Sequence, residues 1–470
     1  MTRPGTTATR VVLLLLLSLA MVVAGYLAVG AGRQYLANRS FHPIRVPAAG
    51  QPAADAAGPL AAADAPITTP SQPAAGQPAT AAGVATALAA PLAASGLGPS
   101  VAAQVFDAQT GSQLFSQHAD QVVAPASTSK LLTAAAVLAR YHGTDQFVTR
   151  VVAGPDPNSV VLVGGGDPTL SAAPAGQPTE YPEAARLSGL AAAVRAAAGA
   201  IPITQVIVDD SLFSGPATAS GWAPEDAPSS YASPITAVMV DAGRDAPNAD
   251  LRSAEPDLAA GRALAAALGA SQVTRGSAPA GARTLAQVRS APVGVLVEQM
   301  LRDSDNVIAE VLARQVARAA HQPASFTAAA AAVRSTLAPW GITVGDGMRD
   351  GSGLSALDRI PAAALSQVLL AATGAAHPEL RPLLSGLSVA GWDGSLVEQG
   401  RFSGSAAAAD GVLRAKTGSL TGVSAMAGVL VDADGRQLIF AFVADRAPAE
   451  AIARAAIDQL AVALVRCGCR

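Results

Sequence analysis

The stretch from Pro47 to Ala82 cannot fold by itself, and this sets where folding begins. Its 36 residues hold 15 Ala and 7 Pro and no aromatic side chain. Such a segment buries too little apolar surface to offset the entropy of ordering its chain. Its prolines favour an extended, semi-stiff spacer. Upstream, Arg3 and Arg10 precede an uncharged run from Val11 to Gly32. Those 22 residues suffice to cross a bilayer core as a helix. They also exceed the apolar region of a typical cleaved signal. The N-terminus therefore reads as a cytoplasmic segment (1–10), a membrane anchor (11–32) and a disordered stalk (33–84). Arg33, Arg39 and Arg45 follow the span and blur the charge asymmetry that orients it. Cleavage after Gly30, with small Ala28 at the −3 position, is the alternative and would release the protein as a secreted one. Either way the folded part is expected to be extracytoplasmic.

Beyond the stalk, an apolar helix pattern runs from Thr86 to Ala94. Val101–Asp107 and Gln113–Ser116 flank Ala108-Gln109-Thr110-Gly111 and predict a hairpin. Pro125 and a run of small polar residues then precede Leu131–Leu138, the mark of a helix start. Strand-like runs at Phe147–Ala153, Val160–Val163 and Val206–Asp209 alternate with Pro- and Gly-rich turns. Helical periodicity returns at Val295–Arg302 and Val307–Arg318. Gly422–Val431 and Gln437–Val443 form a second hairpin, and Pro448–Val465 closes the chain as a helix. Strands at both ends with helices between predict an α+β core (85–148 and 291–466) assembled around a β-rich insertion (149–290).

The formal charge of −3 offers no basic footprint, so nucleic acid is excluded as a partner. Of the 31 basic residues 29 are Arg and two are Lys, Lys130 and Lys416. Neither lysine follows Gly at the spacing of a phosphate-binding loop. Cys467 and Cys469 are the only cysteines, too close and too few for a disulfide framework or a zinc site, and read as an exposed, incidental pair. The five His residues are scattered without metal spacing. No metal and no cofactor is expected.

The two lysines carry the chemistry. Lys130 lies three residues after Ser127 at a helix start, where positions i and i+3 share a face. A serine hydroxyl is a weak nucleophile until a base takes its proton. A buried lysine can be that base; arginine stays protonated and cannot. Lys416 opens Lys416-Thr417-Gly418-Ser419, where the Gly lets a ligand approach a strand closely, and where an amine and a hydroxyl suit a carboxylate. Ser304-Asp305-Asn306 sits at the junction of two helical patterns. Taken singly these read as helix caps and turns.

In that order, Ser-x-x-Lys, Ser-x-Asn and Lys-Thr-Gly resemble the penicillin-recognising serine enzymes. The chain is similar to the low-molecular-mass penicillin-binding proteins of the D-alanyl-D-alanine carboxypeptidase/endopeptidase type, from about Thr86 to Val465. Gly165–Leu170, Asp350–Ser355 and Gly391–Leu396 match as well. The resemblance implies a transpeptidase-like core, an antiparallel sheet flanked by helices. It implies peptidoglycan stem peptides ending in D-Ala-D-Ala as substrate and β-lactams as covalent inhibitors. Ser127 would attack the peptide carbonyl, with Lys130 taking its proton. Ser304 and Lys416 would return a proton to the leaving D-alanine. Asn306 would bind substrate backbone or Lys130, and Lys416 and Thr417 the terminal carboxylate, with Gly418 beside them. Backbone N–H groups of Ser127 and Ser419 would form the oxyanion hole. Only 176 residues separate Ser127 from Ser304, so one of the family's inserted modules is expected to be shortened or missing. A secreted β-lactamase is disfavoured, because no Glu lies between Glu310 and Glu379 to activate a deacylating water. A non-catalytic wall-binding module would not need Lys130.

Overall fold

The computed structural model describes residues 78–246 and 249–470. The anchor at 11–32 and most of the stalk lie outside the described residues. Among the described residues, no helix is long and apolar enough to cross a membrane.

The first described helix is α1 (Ala81–Leu92), whose N-cap Thr80 accepts from Gly83 N–H at 3.0 Å. Residues 81–84, expected to belong to the disordered stalk, are helical. Ala is the best helix former, and Val84 and Leu88 are buried under the sheet. The hairpin β1 (Ser100–Asp107) and β2 (Gln113–Gln117) follows, then β3 (Val122–Val123) and helix α2 (Lys130–Arg140). The insertion holds β4 (Val148–Ala153), β5 (Ser159–Val163), α3 (Leu187–Ala198), β6 (Gln205–Asp209), α4 (Pro256–Leu268), β7 (Gln272–Arg275) and β8 (Thr284–Arg289). Helices α5 (Val293–Arg302), α6 (Asn306–Ala319) and α7 (Phe326–Leu337) return the chain to the core. Next come β9 (Ile360–Pro361), α8 (Ala362–Thr373), α9 (Arg381–Ser385) and β10 (Ser388–Val389). The chain closes with β11 (Leu413–Leu420), β12 (Val423–Val431), β13 (Gln437–Asp445) and α10 (Glu450–Arg466).

The two chain ends build one antiparallel sheet in the order β10-β11-β12-β13-β1-β2. Strand alternation divides its apolar residues between two faces. On β12, Ala425, Ala427 and Val429 join the core under α2 and α5–α8. Met426 and Leu430 point the other way, toward α1 and α10. Helix α2 is buried along its whole length from Lys130 to Leu138, which its run of Ala allows, because small side chains let neighbouring helices approach.

The insertion is less β-rich than its sequence predicts. Its sheet runs β7-β6-β5-β4-β8, with β5, β6 and β7 parallel. Parallel neighbours need crossovers, and α3 and α4 supply them, packing Leu187, Leu190, Val194 and Leu264 into the insertion's own core. Ala-rich helices carry weak amphipathic contrast, which is why the turn-rich pattern hid them.

The cysteines are not incidental. Cys467 and Cys469 form a disulfide, and Cys469 is buried. Its carbonyl accepts from Thr80 N–H at 2.6 Å and from Thr80 Oγ1 at 3.0 Å. A Cβ on Gly83 would stand 2.4 Å from the Cys469 carbonyl carbon. The terminal loop thus clasps the start of α1, a contact across 389 positions of the chain.

Candidate active site

Ser127 sits in a short 3₁₀ turn, Ala126–Ser129, at the head of α2. The preceding Ala126 adopts φ +47°, a left-handed conformation that costs a non-glycine residue about 1–3 kcal/mol unless its surroundings impose it. Two glycines supply that imposition. A Cβ on Gly353 would stand 1.9 Å from the Ala126 carbonyl oxygen, and one on Gly418 would stand 2.9 Å from both Ser127 N and Pro125 O. The turn is wedged between two backbones that only glycine lets this close. The room at Gly418, expected from the sequence to admit a ligand, is taken up by the Ser127 turn.

Lys130 is fully buried, with Nζ 3.0 Å from Ser127 Oγ, 2.6 Å from Asn306 Oδ1 and 2.8 Å from the Ser352 carbonyl oxygen. A neutral amine has two N–H bonds and one lone pair. Asn306 Oδ1 and Ser352 O can only accept, so they take both N–H bonds. The lone pair is left facing the Ser127 hydroxyl, the arrangement a general base requires. Burial lowers the Lys130 pKa from its usual range to about 8, against the pull of Asp350, Glu310, Asp305 and Asp358. Acylation should therefore be slow in acid and rise with pH as Lys130 loses its proton, with a midpoint near 8. A penicillin-labelling rate measured from pH 6 to 10 checks this; a flat profile refutes the assignment of Lys130 as base.

The second wall is the loop between α5 and α6. Asp305 caps α6, its Oδ1 accepting from Val307 N–H and Ile308 N–H at 2.9 and 3.0 Å. Its Oδ2 takes hydrogen bonds from Tyr181 (2.8 Å) and Arg252 (2.9 Å), both in the insertion. Burial alone would raise the Asp305 carboxyl; the Arg252 guanidinium and the cap bonds overcome this and hold it well below the usual range. The insertion thus braces the loop that carries Ser304 and Asn306. Asn306 also donates to the Tyr231 carbonyl at 3.1 Å. Ser304, at φ +56°, turns its hydroxyl onto Lys416 Nζ, 2.8 Å away.

The third wall is β11. Strand alternation sends Lys416 and Gly418 to one face, against Ser304 and the Ser127 turn. The Lys416 amine bonds Ser304 Oγ and the Thr417 carbonyl (2.9 Å). It is fully buried, and burial together with the nearby Lys130 pushes its pKa well down. Thr417 Oγ1 lies 2.6 Å from Ser395 Oγ.

These walls enclose an open cleft of about 620 Å³ lined by Ser127, Ser304, Asn306, Thr417, Gly418 and Ser419. All eight residues picked out in the sequence thus converge. Lys130 and Lys416, however, stand behind the wall, hydrogen-bonded to Ser127 and Ser304. Four groups in the assembly carried no assigned role in the sequence: the Ser352 carbonyl, Ser395, the Tyr231 carbonyl and the buried Glu310. Ser352 and Ser395 fall in the Asp350–Ser355 and Gly391–Leu396 stretches, whose resemblance was the only available signal. Backbone carbonyls leave none. Among the described residues, no group of three His, Cys, Asp or Glu side chains is placed to hold a metal.

Residues 84–250 and 245–465 match the D-Ala-D-Ala carboxypeptidase 3 (S13) family. Over 397 residues the chain is 47% identical to a carboxypeptidase of Mycobacterium tuberculosis, covering 83% of this chain and 85% of that protein. Carboxypeptidase DacB of Mycolicibacterium smegmatis is 45% identical over 394 residues, covering 82% of this chain and 85% of the relative. In fold, the chain is similar to penicillin binding protein 4 (dacB) from Haemophilus influenzae, with a TM-score of 0.64 at 22% identity over 80% of this chain and 97% of that one.

Proposed function

Because the chain belongs to the D-Ala-D-Ala carboxypeptidase 3 (S13) family of serine peptidases, we propose that Ser127 is its nucleophile and Lys130 its base. The observation carrying this is the arrangement of three oxygens around Lys130 Nζ: two carbonyl acceptors occupy its N–H bonds, and the third is the Ser127 hydroxyl facing its lone pair. The Ser127 proton passes to Lys130 as Oγ bonds to the carbonyl carbon of the penultimate D-alanine. The developing oxyanion takes hydrogen bonds from Ser127 N–H and Ser419 N–H, the kind of preorganised stabilisation that contributes most to acyl transfer. The C–N bond then breaks. Its nitrogen receives a proton from Ser304 Oγ, which Lys416 resupplies, and the terminal D-alanine leaves. Water hydrolyses the ester and restores Ser127.

Thr417 and Ser419 face the position of the terminal carboxylate, and Lys416 lies behind them. Its suppressed pKa gives this a consequence. An arriving carboxylate favours the ammonium form, so substrate binding recharges Lys416 at the moment a proton donor is wanted. A β-lactam, which resembles the D-alanine pair, would leave Ser127 as a stable ester.

The uncharged span at 11–32 and the Pro-rich stretch after it support a tether holding the cleft outside the cytoplasmic membrane, within reach of peptidoglycan stem peptides. Release of D-alanine from a stem pentapeptide tests the activity. Wild-type protein releases it and Ser127→Ala does not; equal release by both, or none by either, rejects the proposal.

A further inference from the structure

Behind Lys130 lies a group of buried carboxyls that the acyl-transfer steps do not use. Asp350 is buried in the loop between α7 and β9. Its Oδ1 accepts from Gly353 N–H at 2.7 Å, and its Oδ2 from Ser355 N–H and Trp222 Nε1–H, both at 2.7 Å. Gly353 N–H belongs to the same peptide group as the Ser352 carbonyl, which holds Lys130 Nζ at 2.8 Å. One planar amide therefore connects a carboxylate on its N–H side to the lysine on its C=O side. Resonance couples the two ends: an anion on the N–H pushes electron density onto the oxygen and strengthens it as an acceptor.

We propose that Asp350 is a positioning residue that acts on Lys130 through the Ser352–Gly353 peptide group. It fixes the carbonyl that orients the amine and raises the amine's basicity, as the carboxylate of a serine–histidine triad does for its histidine. The proposal rests on Lys130 serving as the base for Ser127.

Three N–H donors suit Asp350 to carry negative charge among the acids around it. Glu310, fully buried, accepts from Gly351 N–H (2.9 Å) and Ser352 N–H (2.7 Å) and so holds the two preceding peptides in place. Burial and the Asp350 charge push its carboxyl up to about 8. The same two causes push Asp358 well above the usual range. Asp358 Oδ1 accepts from Arg349 N–H at 2.6 Å, and Asp350 acts directly on this carboxyl. Asp350 accepts from three N–H donors, the pattern of a carboxylate. Asp305 adds to the anions that favour the charged form of Lys130, and Lys130 in turn pushes the Lys416 amine down. The Thr133 hydroxyl, one turn along α2 from Lys130, completes the clamp by donating to the Gly351 carbonyl at 2.6 Å.

The experiment is the pH profile of fluorescent-penicillin acylation in wild type, Asp350→Asn and Trp222→Phe, each checked for folding by its thermal transition. Asn keeps the size of the side chain and removes its charge. Two effects are expected together: a maximal acylation rate lower by about tenfold or more, as befits a lost charge-assisted hydrogen bond, and a rising limb displaced to lower pH, because Lys130 has lost an anion that favoured its protonated form. A lower rate with an unmoved limb overturns the proposal, since loss of packing alone does not change the titration of Lys130. Trp222→Phe keeps the carboxylate but removes one donor from Oδ2, which concentrates charge on Asp350 and should move the limb to higher pH. Where Asp350→Asn does not fold, Trp222→Phe decides, and an unmoved limb in that variant overturns the proposal. Failure of the wild type itself to acylate counts against the assignment of Ser127 and Lys130 and is read separately from both variants.

Discussion

Lys130→Arg is expected to abolish acylation, by about a thousandfold or more, while keeping a positive charge at the same point of the fold. Removing a positioned base costs about 10²–10⁴-fold in general, and here the substitution removes more than a base. Arg carries five N–H donors and no lone pair. The acceptors at Asn306 Oδ1 and Ser352 O would still find hydrogen bonds, but the group facing Ser127 would be a donor. The hydroxyl would be held as an acceptor, its proton turned away, and its nucleophilicity suppressed. A guanidinium also needs more width than an amine that is already fully buried. Titrating the variant with labelled penicillin at high pH checks this, since loss of a base that has merely become stronger would be recovered there. Substantial residual labelling at any pH contradicts the account.

Gly418→Ala is expected to be nearly as severe, with acylation down by at least about a hundredfold, the scale of a misplacement near 1 Å at a reacting centre. The added methyl would lie 2.9 Å from Ser127 N and Pro125 O, and 3.0 Å from the Ala126 Cβ. Two of these three neighbours are backbone atoms of a turn already held at positive φ, so no side chain can swing aside to make room. Either β11 moves off the cleft or the turn does, and both carry a proposed oxyanion donor with them. The expected signature is a collapse of the acylation rate with a smaller fall in thermal stability, because β11 keeps its pairing to β12 along the rest of its length. An acylation rate within about threefold of wild type would show that the fit of turn against strand does not control the site, contrary to the orientation argument.

How far the site could be read from the sequence follows from what each part is made of. Ser127, Lys130, Ser304, Asn306 and the Lys416–Ser419 run were legible because they are side chains in short patterns, and because lysine is so rare here that its two positions stand out. The central strands of the core sheet were legible too, since β1, β12 and β13 are long and apolar, with clear turns after β1 and between β12 and β13. In the insertion, strands β4, β5 and β6 fall where the apolar runs predict them, but the helices did not show. Ala-rich helices such as α3 and α4 bury small residues against strands and leave little contrast between their faces. The terminal cysteines misled for another reason: their function lies in bonding to each other and in clasping Thr80, a contact spanning 389 positions. Most telling is Asp350. Its effect passes through a peptide group, and a main-chain carbonyl has no letter of its own in the sequence.

Two lysines in a chain that otherwise uses Arg for its positive charge now have distinct places. In the proposed mechanism Lys130 supplies a lone pair to Ser127, while Lys416, hydrogen-bonded to Ser304, has its charge set by what enters the cleft. Both depend on losing a proton, which arginine does not do.

The most direct test is the mass of the folded domain after exposure to benzylpenicillin, followed by mapping of the modified peptide. The account predicts a single covalent adduct, carried by Ser127 in the peptide that spans Ala126–Lys130 and absent from Ser127→Ala. An unmodified wild-type mass, or an adduct on any residue other than Ser127, would contradict it.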